Sequence, residues 1–466
     1  MANETRANWA SYLDAEQSRF VEELVEFVKI PSVSVKAENA SDVYRAAEWV
    51  LARLKAAGVE HAAVMPTPGH PVVYGEWLNA SANKPTILIY GHFDVQPAEP
   101  LELWESPAFA PEIRHGKLWG RGASDDKGGM LASIIAVEAL FKTRGALPVN
   151  VKFLYEGEEE AGSASLNTFI AANIELLKAD MVFSADGLQW APDQPQLMQA
   201  MKATISCEIK VTGPRSDQHS GLHGGGIANP AVALAHILAS MKSIDGSVTI
   251  EGFFDDVVPL SQAMRDQIAL LPFDDKEYLS QTGAPSCHGE SGYTVMERIG
   301  GRPMLDINGL TSGWQGEGSK TILPASASAK ITCRLVNAQS PTKVLNAIRQ
   351  HVESRCPPGV AIEFLSEEAD GYPFSIPHNH PATELAGEVL EEVYGRTPLR
   401  IWAGGSIPAF SPFLDFLGLH AVMLGFSSPD ENLHAPNEFF RLDVFRRGQE
   451  VYVRLLEKAG NTFQRR

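Results

Sequence analysis

The sequence predicts an α/β protein in which a mostly parallel sheet is interrupted by a smaller α+β domain. Short, continuous apolar runs separated by helix-like segments are typical of buried parallel strands. In the middle of the chain apolar and polar residues alternate instead, as they do in strands with one solvated face. The length of 466 residues is too great for one ordinary core and predicts about two or three domains.

The first part of the chain predicts two helices and then a buried sheet. The first helix ends near Pro31, and the second begins at Ser41 or Asp42 and ends at Gly58. The continuous apolar runs that predict buried strands are 87–90, 151–154 and 181–183, with a helix near 128–143 between the first two. This alternation of strands and helices predicts a mostly parallel sheet with helices on both faces.

The middle of the chain predicts a separate domain inserted into the first. Residues 205–211 and 331–335 alternate between apolar and polar side chains, and a helix is predicted around 229–242. The end of the chain returns to a helix at 382–393 and an apolar strand at 421–424, which complete the first domain. The predicted division is 1–212 and 379–466 for the two parts of the larger domain, and 213–378 for the inserted domain.

Composition and charge argue against several classes of protein. The formal net charge of −18 would repel nucleic-acid phosphates and anionic lipid, so neither nucleic acid nor membrane is an expected partner. The sequence shows no basic segment followed by an apolar one, as an export signal would have, and no uncharged apolar run long enough to span a membrane, so neither is expected. The cysteines are widely separated and form no C-x-x-C pair, which fits reduced thiols in a cytoplasm. They are Cys207, Cys287, Cys333 and Cys356.

Candidate metal ligands follow the predicted strands of the larger domain. Open α/β sheets bind ligands at the carboxyl ends of their strands, so side chains at these places are expected to converge. A further acid lies in a Gly-rich loop directly before the helix near 128–143. The candidates are His92, Asp125, Glu160, Asp186 and His434.

Imidazole and carboxylate ligands without thiolates suit Zn²⁺, Mn²⁺ or Co²⁺ and argue against a structural zinc site of the cysteine type. Five ligands are too many for one tetrahedral ion, but two ions about 3.5–4 Å apart can share them through one bridging carboxylate. Such a pair activates a bridging water for hydrolysis, and Glu159 beside Glu160 is placed to take its proton. Taken singly, His92 fits a packing role, and the glutamates and Asp186 fit solvated turns. The joint placement favours the metal centre.

Several longer motifs in the same chain carry a family resemblance. They are GHFDVQP (91–97), GRGASDDKGG (120–129), EGEEEAGS (156–163), SAD (184–186), DQHSGLHGG (217–225), SKTILP with CRLV (319–336), GGSIP (404–408) and HAPNE (434–438). In this order they resemble the dinuclear-zinc metallopeptidase family of carnosinase, cytosolic nonspecific dipeptidase, aminoacylase and glutamate carboxypeptidase, above all its dipeptidases. The resemblance implies a zinc-peptidase-like domain interrupted by an α+β lid and dimerisation domain.

The resemblance also implies a role for each matching residue of the metal centre. Asp125 would bridge two divalent ions. His92 and Asp186 would complete one metal site, and Glu160 and His434 would complete the other. Glu159 would be the general base, and Asp94 would orient the imidazole of His92. The Asp125–Asp126 peptide bond would be cis.

In the lid, the resemblance implies that His219 stabilises the oxyanion at the partner subunit's site in a homodimer. Arg334 would bind the substrate carboxylate, and Ser406 and His219 would also contact the substrate. The expected reaction is hydrolysis of the amide bond of dipeptides or similar small peptides with a free carboxyl end.

Two alternatives stay open. Many related dipeptidases carry an acid directly before GGSIP, whereas Ala403 stands there in this sequence. Loss of that acid would favour blocked or acylated amino ends, so the alternative activity is that of an N-acyl-amino-acid amidohydrolase or a carboxypeptidase. A binding or scaffolding protein on a peptidase fold is the other alternative. It is disfavoured because all five ligands and Glu159 are present.

Overall fold

The computed structural model describes residues 2–377, 379–405 and 410–463. Within it the chain forms two compact units. Unit 1 comprises residues 1–198, 376–399 and 409–466, and unit 2 comprises residues 199–375 and 400–408. Unit 1 is therefore discontinuous in sequence, with unit 2 inserted between its segments.

The helices are numbered in chain order. They are α1 (Ala2–Val28), α2 (Ala40–Ala56), α3 (Gly129–Arg144), α4 (Ala164–Ala172), α5 (Ile174–Leu177), α6 (Ser220–His223), α7 (Pro230–Ala239), α8 (Gln262–Ala269), α9 (Asp275–Thr282), α10 (Val295–Gly301), α11 (Pro341–Ser354), α12 (Pro381–Tyr394), α13 (Ser411–Leu417) and α14 (Leu442–Thr462).

The strands are numbered in the same way. They are β1 (His61–Met65), β2 (Val72–Trp77), β3 (Thr86–His92), β4 (Glu112–Arg114), β5 (Lys117–Trp119), β6 (Asn150–Glu156), β7 (Met181–Ser184), β8 (Gln196–Met201), β9 (Ala203–Thr212), β10 (Gln218–His219), β11 (Met304–Ser312), β12 (Ile322–Leu323), β13 (Ser326–Leu335), β14 (Ala361–Asp370), β15 (Phe374–Ser375), β16 (Leu399–Ala403), β17 (Ala421–Met423) and β18 (Phe439–Arg441).

The main sheet of unit 1 has the strand order β1-β2-β6-β3-β7-β17. Strands β6, β3, β7 and β17 pair in parallel, and β1 and β2 are added antiparallel at one edge. Every residue of β3 and β6 is buried, and both strands carry apolar runs, ILIY in β3 and FLY in β6, rather than a strict alternation. The predicted α/β fold with a mostly parallel sheet is confirmed.

Helix α3 is the central helix of unit 1. Residues 129–140 of this helix are all buried, and it packs against α1 and α14. A helix that is buried on all sides must be enclosed by other elements. Its N-terminus directly follows the Gly-rich loop that carries Asp125, so the buried helix gives that loop a rigid base.

Unit 2 is built on a four-stranded antiparallel sheet of order β11-β13-β9-β14. Burial alternates along β9 and β13, so one face of the sheet is apolar and the other is partly solvated. The apolar face forms a core that includes Ile209, Ile331, Leu234 of α7 and Ile348 of α11. This is the α+β architecture that the alternating pattern predicts.

The division of the chain differs in detail from the sequence prediction of 213–378 for the inserted domain. Strand β9 pairs along its whole length with β13 and β14, so the unit that contains it begins before residue 203. Residues 400–408 also belong to unit 2. Part of that segment is β16, which joins β8 and β15 in a small sheet. Short pairings between distant segments leave no periodic signal in sequence.

Within the described ranges, no helix combines the length and apolar character needed to cross a bilayer.

Candidate metal centre

The predicted ligands lie at one edge of the main sheet of unit 1. His92 is the last residue of β3, and Asp186 follows the end of β7 by two residues. The turn that holds Glu160 follows β6, and His434 lies in the loop after β17. Because these strands run in parallel, their carboxyl ends meet at the same edge, where open α/β sheets bind ligands.

Two groups of potential ligand atoms form at this edge. His92, Asp125 and Asp186 make one group, and Asp125, Glu160 and His434 make the other, with the ligand atoms of each group within 4.8 Å of one another. Oδ1 of Asp125 lies 3.1 Å from Nε2 of His92, and Oδ2 lies 3.0 Å from Nε2 of His434. The two oxygens of one carboxylate thus face two different histidines.

These distances fit a pair of divalent ions. Ligand atoms about 2.0–2.1 Å from a tetrahedral ion lie roughly 3.3 Å from one another. Nε2 of His434 lies 3.3 Å from Oε2 of Glu160, in addition to its contact with Asp125. The donors are imidazole nitrogens and carboxylate oxygens, the set that suits Zn²⁺, Mn²⁺ and Co²⁺. The residues present therefore fit two ions that share Asp125.

The loop that carries Asp125 has an unusual backbone. The Asp125–Asp126 peptide bond is cis, as predicted. Asp126 is buried, and its carboxylate lies 3.4 Å from the backbone nitrogen of His92. Burial raises the pKa of Asp126 well above its usual value.

Asp94 supports both His92 and the turn of glutamates. Its buried carboxylate accepts the backbone N–H groups of Glu159 at 3.2 Å and of Glu160 at 3.0 Å. Nδ1 of His92 lies 3.1 Å from the backbone oxygen of Asp94 and 3.5 Å from Oδ1 of its carboxylate. The sequence analysis predicted that Asp94 orients the imidazole of His92. Its hydrogen bonds to Glu159 and Glu160 also fix the turn that carries these two glutamates.

Gln96 was not among the predicted site residues. Its side-chain amide donates to Oε2 of Glu160 at 2.7 Å and so orients this carboxylate. The residue lies inside the GHFDVQP motif, but a polar side chain in a loop gives no signal of its partner. Motif membership is the one feature of the sequence that could have identified it.

The carboxylates perturb one another strongly. Burial, opposed by His92 and reinforced by Asp186 and Glu160, raises the pKa of Glu159 to about 9. Burial, with Asp125 as the next cause, raises the pKa of Asp186 to about 7. Hydrogen bonds to Asp125 and Glu160 raise the pKa of His434 to about 10. So many acids in one buried place favour either protons or bound cations.

The predicted substrate-binding residues lie in the other part of the chain. His219 is an exposed residue of β10 in unit 2, and Nδ1 of its ring accepts the backbone N–H of Gly221 at 3.0 Å. Arg334 lies on the polar face of β13 and donates to the hydroxyl of Thr204. Ser406 lies outside the described residues.

Residues 88–458 match the model of a known peptidase family, described as Peptidase family M20/M25/M40. The matched region includes all five candidate ligands and Glu159. The chain belongs to this family. It is therefore a hydrolytic metallopeptidase, and the family resemblance carried by its motifs is confirmed.

Individual members of the family resemble the chain along nearly its whole length. The Cys-Gly metallodipeptidase dug1 of Schizosaccharomyces pombe is 30% identical over 461 residues, which cover 94% of this chain and 95% of that protein. The crystal structure of an M20 family metallo-carboxypeptidase from Sulfolobus solfataricus has a TM-score of 0.78 and 32% identity, covering 95% of this chain and 99% of that one. Human carnosine dipeptidase 1 has a TM-score of 0.75 and 25% identity, with 98% of each chain covered.

Proposed function

We propose that this member of the family hydrolyses the amide bond of dipeptides or similar small peptides with a free carboxyl end. The observation that supports this most is the placement of Asp125, whose two oxygens each face a different histidine. Glu159 lies beside both ligand groups, where a general base is needed. The similar proteins named Cys-Gly metallodipeptidase and Beta-Ala-His dipeptidase act on dipeptides, according to their names.

The proposed centre would hold two divalent ions, with Asp125 shared, His92 and Asp186 completing one site, and Glu160 and His434 completing the other. Ions bound there would polarise the scissile carbonyl and lower the pKa of the attacking water. We propose Zn²⁺ or Mn²⁺, with Co²⁺ as a further possibility that the same donors accept.

The proton transfers fall to Glu159. As a carboxylate it takes a proton from the attacking water, and as the resulting acid it returns this proton to the leaving amine. Bound cations favour the charged form of a nearby carboxylate, so they offset the burial that raises its pKa. The hydrogen bond from the backbone N–H of Glu159 to Asp94 fixes the backbone of the turn from which this carboxylate projects.

We propose Arg334 as the residue that recognises the free carboxyl end of the substrate. Its planar guanidinium can pair with a carboxylate through two parallel hydrogen bonds, which a lysine cannot reproduce. Arg334→Lys is expected to raise KM by roughly tenfold or more with a smaller change in kcat, because it removes one such bond. Steady-state kinetics on a dipeptide and on its C-terminal amide measure this effect.

The wild-type enzyme is expected to discriminate strongly against the amide, and Arg334→Lys is expected to lose much of that discrimination. Lys330→Met, at an exposed position of the same strand, is the matched control and should leave both rates unchanged. Equal wild-type rates on the dipeptide and its amide would contradict the role of Arg334.

Hydrolysis of N-acyl amino acids, or carboxypeptidase activity on longer peptides, is the second candidate function. Two observations favour it. Ala403 stands where many related dipeptidases have an acid, and a similar solved structure is described as a metallo-carboxypeptidase. A panel of dipeptides, N-acyl amino acids and longer peptides separates the two candidates, because a dipeptidase needs the free amino end that an N-acyl substrate lacks.

We also propose that the enzyme works as a homodimer in the cytoplasm, with His219 completing the partner subunit's site. Nδ1 of His219 accepts a backbone N–H, so the ring proton of the neutral tautomer is on Nε2. That leaves Nε2–H as a donor on an exposed side chain, which is what stabilisation of a developing oxyanion requires. Loss of one such donor typically lowers kcat by about 10²–10³.

Subunit exchange tests this arrangement. We expect His219→Ala and Glu159→Gln each to be nearly inactive and a mixture of the two to regain activity after exchange. Each hybrid dimer has one site in which Glu159 is intact and the partner subunit supplies His219. Exchange is followed with two affinity tags. A mixture that exchanges fully and stays inactive would show that His219 serves its own subunit.

A further inference from the structure

We propose that Glu438 is a positioning residue that holds two ligand-bearing loops of the metal centre in register. The inference rests on the proposed metal centre, since it concerns how Asp125 and His434 are aimed at the same ion. Glu438 lies four positions after His434, and its side chain reaches beneath the loop that carries Asp125. It touches none of the predicted reacting groups, so it would act through the ligands.

The carboxylate of Glu438 accepts hydrogen bonds from several backbone groups of the Asp125 loop. Oε1 accepts the N–H of Ser124 at 3.0 Å and of Asp125 at 3.2 Å. Oε2 accepts the N–H of Gly122 at 2.8 Å. The side chain is fully buried, so these contacts are not exchanged with solvent. One carboxylate therefore fixes the backbone of the segment that leads into the bridging ligand, including the N–H of Asp125 itself.

Arg121 extends the same support to a third loop. Its guanidinium donates to Oε2 of Glu438 at 2.6 Å through Nη1. Nη2 donates to the backbone oxygens of Ala435 at 3.1 Å and of Pro97 at 3.3 Å. Ala435 follows His434, and Pro97 belongs to the loop after His92. The Arg121–Glu438 pair thus joins the backbones of the loops that carry His92, Asp125 and His434.

Support of the Asp125 loop depends on both the negative charge and the two acceptor oxygens of Glu438. The hydrogen bonds from the described residues to both oxygens of Glu438 all come from N–H donors. Glu438→Gln would therefore replace one acceptor by an NH₂ group that faces N–H groups. The loop must then shift to relieve the clash of donors, and Asp125 shifts with it. Residues that orient metal ligands in this way typically change metal affinity about 10–100-fold when they are replaced.

The loss of any buried charge would destabilise the protein, so a positioning role has to be distinguished from general stabilisation. A second buried pair in unit 1 provides a matched control. Glu138 of α3 is paired with Arg53 of α2, and both side chains are about as buried as those of the first pair. The described partners of Glu138 are Arg53, Arg19 and Tyr12, which lie on helices and carry no predicted ligand. Glu138→Gln therefore removes a buried charge far from the ligand loops.

The test is calorimetric titration of metal-free wild type, Glu438→Gln and Glu138→Gln with Mn²⁺ and with Zn²⁺, together with the absorption spectrum of the Co²⁺-loaded proteins. We expect Glu438→Gln to bind metal about 10–100-fold more weakly and to show an altered Co²⁺ spectrum. Glu138→Gln should melt at a lower temperature yet keep the wild-type affinity and spectrum. Unchanged affinity and spectrum in folded Glu438→Gln would overturn the inference, as would equal losses in both variants.

If Glu438→Gln does not fold, Arg121→Lys decides the matter. A lysine keeps the charge beside Glu438 but lacks the second arm that reaches Ala435 and Pro97. Weaker metal binding by this variant would support the inference, and wild-type binding would overturn it. Failure of the proposed function is a different result, because wild type itself would then bind no divalent ion.

Discussion

Removal of divalent ions is expected to abolish hydrolysis, and addition of Mn²⁺ or Zn²⁺ is expected to restore it. Without cations, the ligand atoms of Asp186 and of Glu160 each lie within 4.8 Å of a ligand atom of Asp125. Burial, with the charge of Asp125 as the next cause, raises the pKa of Asp186 to about 7. A Glu159 carboxyl with a pKa of about 9 would also hold its proton at neutral pH and could not act as a base. Loss of the ions therefore removes both the activation of water and the base.

The measurement is the rate of dipeptide hydrolysis after dialysis against a chelator, followed by titration with each metal. Activity should saturate at about two ions per chain. The chelator alone, added to a metal-independent hydrolase assayed with the same detection, controls for effects on the assay. Full activity in protein shown by elemental analysis to be metal-free would refute the dinuclear mechanism.

Glu159→Gln is expected to lower kcat by roughly 10²–10⁴ while leaving metal binding near the wild-type level. The amide keeps the shape of the side chain and loses its ability to accept a proton from water. Glu159 belongs to neither group of predicted ligand atoms, so the ions should still bind. Single-turnover kinetics at saturating substrate, with metal titration alongside, measure the two properties separately.

Glu158→Gln is the matched control for this variant. Glu158 is the preceding glutamate, but its carboxylate accepts the backbone N–H of Ser165 at 3.1 Å, at the start of α4. We expect Glu158→Gln to keep most of its activity. If Glu159→Gln were near wild type and Glu158→Gln inactive, the assignment of the general base would be shifted by one residue.

Much of unit 1 was predictable because its signals are local. The apolar runs at 87–90 and 151–154 lie within β3 and β6, and the predicted helix at 382–393 is α12 to within one residue at each end. Four of the five candidate ligands came from their position after strands and Asp125 from its Gly-rich loop before a helix, and the structure brings them together in two overlapping groups. Strand ends in a parallel sheet share an edge, so position in sequence was enough to predict proximity.

The residues that sequence reasoning missed are those whose partners lie far away in the chain. Gln96 contacts Glu160, and Glu438 contacts backbone groups more than three hundred positions earlier. Neither contact follows from periodicity or from a turn signal. The same reason explains the segment 400–408, whose place in unit 2 depends on pairing in a small sheet rather than on its own composition. Long-range polar contacts are visible only once the fold is known.

The wide separation of the ligands along the chain links metal binding to stability. His92 and His434 lie in the first and last segments of unit 1, on either side of the inserted unit in sequence. An unfolded chain cannot hold them together, so ions bound at the proposed centre would favour the native state. By mass action, an ion present at a hundred times its dissociation constant adds about 2.7 kcal/mol to the free energy of unfolding. Bound ions would thus stabilise unit 1 by joining its first and last segments, and its melting temperature would rise with the free metal concentration.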